Sequence, residues 1–99
     1  MKDIITRINK AFENRQRLGI MSLLMVHEKI DFNTMKEFLQ LTDGNLATHI
    51  AALEKNNYLL VKKSFLGKKT NTIYSATAAG KKAFRDHLNA LEKLIKSNK

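Results

Sequence analysis

Between residues 32 and 58 the chain reads FNTMKEFLQLTDGNLATHIAALEKNNY, two helical periodicities that meet across a polar break. Met35, Phe38 and Leu39 fall at i, i+3 and i+4, and Leu46, Ile50 and Leu53 at i, i+4 and i+7. Each half therefore predicts a helix with one apolar face, the second opening at Thr42-Asp43-Gly44. Opposite Leu46, Ile50 and Leu53 lie Asn45, Thr48, His49, Ala52 and Lys55, short or polar and uncommitted to packing. A short helix that props up a second with a free polar face is a helix-turn-helix. In such units the second helix lies in the major groove of DNA, with its N-terminal residues at base edges.

Downstream, Leu59 to Phe65 and Asn71 to Ala76 are two β-type runs separated by Leu66-Gly67-Lys68-Lys69-Thr70. A glycine-containing connection between such runs predicts a hairpin. Lys68 and Lys69 fall at its tip, with Lys62 and Lys63 on the strand leading in. Thr77 then caps a helix from Ala78 to about Ser97, in which Phe84, Leu88, Leu91 and Ile95 step by 4, 3 and 4 with Leu94 beside them. That is a heptad-like seam, under three heptads long. It either docks on its own domain or pairs with a copy of itself. Because the chain already offers a separate core helix, pairing is the favoured reading.

That core helix runs from Arg15 to about His27 behind an Asn14 N-cap. Leu18, Met21, Leu24 and Met25 form its apolar stripe, widened by Ile20, Leu23 and Val26, which predicts a helix buried around most of its girth. Arg15 and Arg17 sit at its start, where the helix dipole does not favour cations. Residues 2–13 place Ile4, Ile5, Ile8 and Phe12 at helical spacing, a short amphipathic helix that must pack on its own core or on a second copy. Lys29 to Asn33 alternates polar and apolar as a very short edge strand would, and Asn33 can cap the helix that follows.

Asp43-Gly44-Asn45-Leu46-Ala47-Thr48-His49-Ile50 followed by Leu53-Glu54 resembles the recognition-helix signature of small MarR/ArsR-like winged-helix transcriptional regulators. The resemblance continues through Tyr58-Leu59-Leu60 and Thr77-Ala78-Ala79-Gly80-Lys81, over nearly the whole chain. It implies a mainly α fold with a small β-hairpin wing (α+β), a winged helix-turn-helix with extra N- and C-terminal helices. Residues 1–99 would form a single domain: an N-terminal helix over 2–13, the helix-turn-helix over 33–56, the wing over 59–76 and a dimerisation helix over 78–97. Where relatives usually end the recognition helix on Gly, this chain has Asn57, which also tolerates the left-handed conformation.

The implied function is a homodimeric, sequence-specific regulator of transcription that binds double-stranded DNA. Gly44, Asn45, Thr48, His49 and Ala52 of recognition helix 43–56 would face the major groove. Asn reads adenine bidentately, Thr a base or thymine methyl, and His a phosphate or guanine. Lys62, Lys68, Lys69 and Thr70 would hold backbone or minor groove, giving position more than sequence information. Ile4, Ile5, Ile8, Phe84, Leu88, Leu91 and Ile95 would form the dimer interface. Twofold pairing would place two recognition helices about 34–36 Å apart on a near-palindromic site.

Composition narrows the alternatives. Ninety-nine residues suffice for one modest core, and the absence of cysteine removes disulfides and thiolate chemistry. Residues 1–58 carry eight Lys/Arg and seven Asp/Glu, residues 59–99 ten and two, so the positive excess is one-sided. Such a surface suits nucleic acid or anionic membrane. The last helix has too narrow an apolar stripe, and no Trp, to favour the membrane. His27, His49 and His87 sit on three predicted helices with no ligand-spaced partner, so a solvated histidine is the expected role of His87 rather than a metal site with Asp86. No nucleophile elbow or phosphate loop occurs, so neither catalysis nor a cofactor is expected. With no membrane-length apolar run and no signal-peptide pattern, a cytoplasmic protein is expected. A second reading keeps the fold as a protein-interaction module, with Phe65 and Leu66 exposed at the wing tip. No effector ligand is legible.

Overall fold

The structure, a computed structural model, describes residues 2–97, with the side chain of Leu66 outside the described part. The Asn14 side chain accepts hydrogen bonds from the backbone N–H groups of Gln16 and Arg17 and so starts helix α2 (Arg15–Val26). Two of the donors that a helix start leaves unpaired are thereby satisfied. Ile20, Met21 and Leu24 of α2 are buried, whereas Val26 is 80% exposed. The helix thus buries one face, less of its girth than its composition suggests.

The segment before it is not the continuous helix expected over 2–13. Helix α1 spans only Lys2–Thr6, and a 3₁₀ turn follows at Lys10–Phe12. Asn9 causes the break, because its side chain accepts the Ala11 N–H and offers the backbone a local alternative to the helix. The turn drives Phe12 into the core, stacked on Tyr58 and edge-on to Phe84. Of the expected interface residues here, Ile4 and Ile8 are half-buried and Ile5 exposed.

Strand β1 (Ile30–Asp31) leads into helix α3 (Phe32–Leu39), and helix α4 (Asp43–Lys55) follows. Asp31, not Asn33, holds the N-cap position of α3, without a side-chain bond, and Asn33 lies inside the helix. Met35 is fully buried, but Phe38, expected inside, is 60% exposed and rests on the His27 ring. A helix of this length covers α2 with a narrow stripe only. Gln40 adopts a left-handed conformation (φ 52°, ψ 48°) to turn the chain between α3 and α4. Thr42 caps α4 by accepting the Asn45 N–H, and Asn57, at φ 62°, ends it in the left-handed conformation expected there.

Strands β2 (Leu59–Leu66) and β3 (Lys69–Ala76) pair antiparallel from Leu59↔Ala76 to Leu66↔Lys69. The turn is therefore only Gly67-Lys68, with Gly67 at φ +67°, and Lys69 and Thr70 belong to the strand rather than to a five-residue loop. β1 adds to the other side of β3, giving the order β1-β3-β2.

Helix α5 (Ala78–Ser97) begins against the end of α4. Thr77 donates its backbone N–H to the Tyr58 carbonyl and its hydroxyl to the Asn57 carbonyl, and its hydroxyl oxygen accepts the Gly80 N–H. Gly80 sits so near that a Cβ there would overlap the Tyr58 carbonyl oxygen. Phe84, His87 and Ala90 face inward. Phe84 therefore belongs to the chain's own core and not to the outward seam, which begins at Leu88. His87, expected to be solvated, is 3% exposed, and its Nδ1 accepts the Asn9 N–H at 3.0 Å. Burial holds its imidazole below the ordinary pKa, an effect partly opposed by Glu13. Asp86 is ion-paired with Lys82.

The α5 junction yields a direct test. Gly80→Ala should lower the unfolding free energy by about 3 kcal/mol, the upper range for overpacking. Thr77→Ala should cost about 1 kcal/mol, as for a missing cap. Urea denaturation reads both; equal, small effects would show that the close approach does not matter.

Candidate nucleic-acid interface

Leu46, Ile50 and Leu53 anchor α4 in the core, which fixes the opposite face toward solvent. Gly44, Asn45 and Thr48 on that face are exposed, and His49 and Ala52 are partly exposed. The Asn45 side-chain amide makes no hydrogen bond among the described residues, so its donor and acceptor are both uncommitted. The Thr48 hydroxyl donates to the Gly44 carbonyl at 2.8 Å, leaving its methyl group and lone pairs for a partner. A Cβ added at Gly44 would meet nothing within 4 Å, so the chain's own packing does not require glycine there.

His49 is held from behind. Arg17 donates its Nε–H to the Ala11 carbonyl at 2.7 Å, and its Nη1 lies 3.4 Å from His49 Nδ1. A guanidinium only donates, so Nδ1 is the acceptor and a neutral ring carries its proton on Nε2. Burial, and secondly the Arg17 charge, lower the His49 pKa. In its neutral form the ring therefore keeps one N–H donor for a partner. Arg17 thus ties α4 to the segment before α2, a contact that its position at the start of α2 did not indicate.

Lys36 of α3 and Asp43 at the start of α4 form an ion pair at 2.7 Å across the helix-turn-helix. Both side chains are exposed, so the pair contributes at most about 1 kcal/mol. Its place is apt, since Asp43 also meets the positive end of the α4 dipole. On the wing, Lys62, Lys68, Lys69 and Thr70 are all exposed. Lys68 occupies the turn, while Lys69 and Thr70 lie on β3. Phe65 is exposed, as the sequence suggests; the Leu66 side chain lies outside the described residues. The structure therefore presents two surfaces, a polar, solvent-facing side of α4 and a cationic hairpin.

The His49 geometry predicts an imidazole that titrates below its usual midpoint of about 6.5. Arg17→Ala should move the midpoint upward by removing the second cause. An NMR titration showing no difference between the two proteins would contradict the contact.

Among the described residues no helix is long and apolar enough to cross a membrane. A family described as winged helix DNA-binding domain matches residues 16–95. An uncharacterised protein of Methanocaldococcus jannaschii is 36% identical over 88 residues, covering 89% of this chain and 96% of its own. The solved structure of a transcriptional regulator homologue from Pyrococcus horikoshii superposes with TM-score 0.84 at 30% identity, covering 97% of this chain and 93% of that one. PadR of Bacillus subtilis, solved in complex with operator DNA, shares the fold at TM-score 0.63 and 15% identity, over 71% of this chain and 44% of its own. The helix-turn-helix, three-stranded sheet and hairpin agree with the match over most of the sequence, and the chain belongs to the winged helix DNA-binding domain family.

Proposed function

We propose that this chain is a sequence-specific transcriptional regulator that binds double-stranded DNA as a homodimer in the cytoplasm. Helix α4 enters the major groove, and the basic wing holds the backbone and the adjacent minor groove. The observation that carries this reading is the outward face of α4, where the Asn45 amide has no partner of its own among the described residues. An uncommitted amide suits a bidentate contact to adenine, and a Thr methyl suits thymine. The His49 N–H suits a phosphate oxygen or a guanine acceptor. Exposed apolar residues on the terminal helices, Ile5, Leu88 and Ile95, support pairing of two copies, with half-buried Ile4, Ile8 and Leu91 beside them. The competing reading, a protein-interaction module, draws on exposed Phe65 and differs in its salt dependence.

Fluorescence anisotropy with random and selected duplexes across a salt series tests the proposal. Phosphate-driven binding weakens steeply with salt, and binding through an apolar tip does not. Lys68→Ala with Lys69→Ala should reduce the logarithmic salt slope by about 1.8, or about 0.9 for each phosphate no longer neutralised. Asn45→Ala should instead cost about 1–3 kcal/mol on the selected site alone. If Thr48→Ala with His49→Ala left binding to the selected site intact, α4 would not be the reading element.

Gly44→Ala separates fold from function. The added methyl enters open space, so the free protein should gain about 0.5–1 kcal/mol of stability. On the selected duplex the same methyl should weaken binding, because it holds the helix away from the bases. Unchanged affinity would mean that Gly44 does not face the groove.

A further inference from the structure

Toward its tip, the wing carries the helix-packing face of the sheet beyond the core. Successive strand residues alternate faces, so Leu59, Val61, Lys63 and Phe65 share one face of β2. Their partners Ala76, Tyr74, Thr72 and Thr70 share the same face of β3. Leu59 and Tyr74 are buried, but Phe65 is 75% exposed. It stands four residues past Val61, roughly 13 Å at the rise of a strand. Its cross-strand neighbour Thr70 is small and itself exposed.

The surroundings of the ring define the chemistry of its partner. Residues 59–76 hold Lys62, Lys63, Lys68 and Lys69 and no acidic residue. All four are exposed, and none is ion-paired among the described residues. An apolar pocket on a protein would have to strip water from these cations to reach the ring, at considerable cost. A polyanion with stacked aromatic faces accepts ring and charges together. The minor groove of a duplex, roughly 6 Å wide and 7.5 Å deep, is too narrow for a two-stranded ribbon but takes a single ring presented from its tip. Proteins that enter it with Phe or Leu partly unstack a base step and kink the duplex.

We infer that Phe65 is an aromatic wedge: the wing inserts it into the minor groove beside the site read by α4 and partly unstacks one base step. Lys63, Lys68 and Lys69 hold the flanking phosphates. The inference rests on the DNA-binding reading above and adds two properties to it. The bound duplex is bent at the wing, and a flexible pyrimidine–purine step is preferred where the ring enters.

The test uses the full chain and a duplex selected by the unaltered protein, end-labelled for energy transfer. Versions of this duplex carry 2-aminopurine at successive positions along the wing-side flank. The unaltered protein should raise 2-aminopurine fluorescence at one step and shorten the end-to-end distance. Phe65→Ala should abolish both signals and weaken binding about tenfold, the scale of one base–aromatic contact. Its salt slope should not change, since the lysines remain, nor should its melting temperature, since the ring is exposed. Phe65→Leu, a smaller wedge, should retain part of the bend. Equal bending and fluorescence with and without the ring would overturn the wedge and leave DNA binding standing. No salt-dependent binding to any duplex would overturn the underlying reading as well. A Phe65→Ala effect confined to sedimentation of the free protein would assign the ring to contact with a second copy and overturn the wedge.

Discussion

Helix α5 can start where it does only because residue 80 has no side chain. The Tyr58 carbonyl occupies the space that a Cβ would need, and the same carbonyl accepts the Thr77 N–H. Within these few residues the end of α4, the roots of both wing strands and the start of α5 are tied together. Tyr58 donates its own N–H back to Leu53 in α4, and the Thr77 hydroxyl reaches the Asn57 carbonyl. The junction thus links α4, the wing and α5, while α2 packs against all three. The side chain of Tyr58 extends it to the N-terminal segment, because its hydroxyl accepts from the Asn9 amide at 2.9 Å.

The division of labour along α4 follows from burial. Leu46, Ile50 and Leu53 supply the stability that a short helix lacks in isolation. They thereby leave the other face outside the core. Arg17 reaches across from α2 to His49, so this one residue of the polar face is pre-positioned. A pre-positioned side chain has less entropy to lose when it meets a ligand.

Much of this was legible in residue spacing. The faces of α4, the Asn14 and Thr77 caps and the left-handed Asn57 follow from local chemistry, and each is found where the sequence indicates. What was hidden depends on partners distant in sequence. His87 looks like any polar residue on a charged helix until Asn9, 78 positions away, supplies its hydrogen bond. Phe84 fits a heptad seam as well as it fits the core, and only the arrival of Phe12 decides between them. The broken N-terminal helix and the left-handed Gln40 were hidden because Ile4, Ile5, Ile8 and Phe12 keep helical spacing and Gln carries no turn signature. On the outward face of α4, residue spacing indicated the solvent-facing set but not the Arg17 contact behind His49.

The wing also carries a rule of parity. Its eight-residue strands are joined by a two-residue turn, with no bulge in the register from Leu59↔Ala76 to Leu66↔Lys69. A pleated strand sends alternate side chains to opposite faces, so a shift of one residue turns every side chain beyond it over. The wing can therefore lengthen or shorten by one residue pair at a time only with a swap of the faces at its tip. Changes of two pairs preserve which residues share the face of Leu59 and which lie on the other. Variation in wing length is thus quantised, and lengths that differ by an odd number of pairs would present chemically different tips from the same sequence.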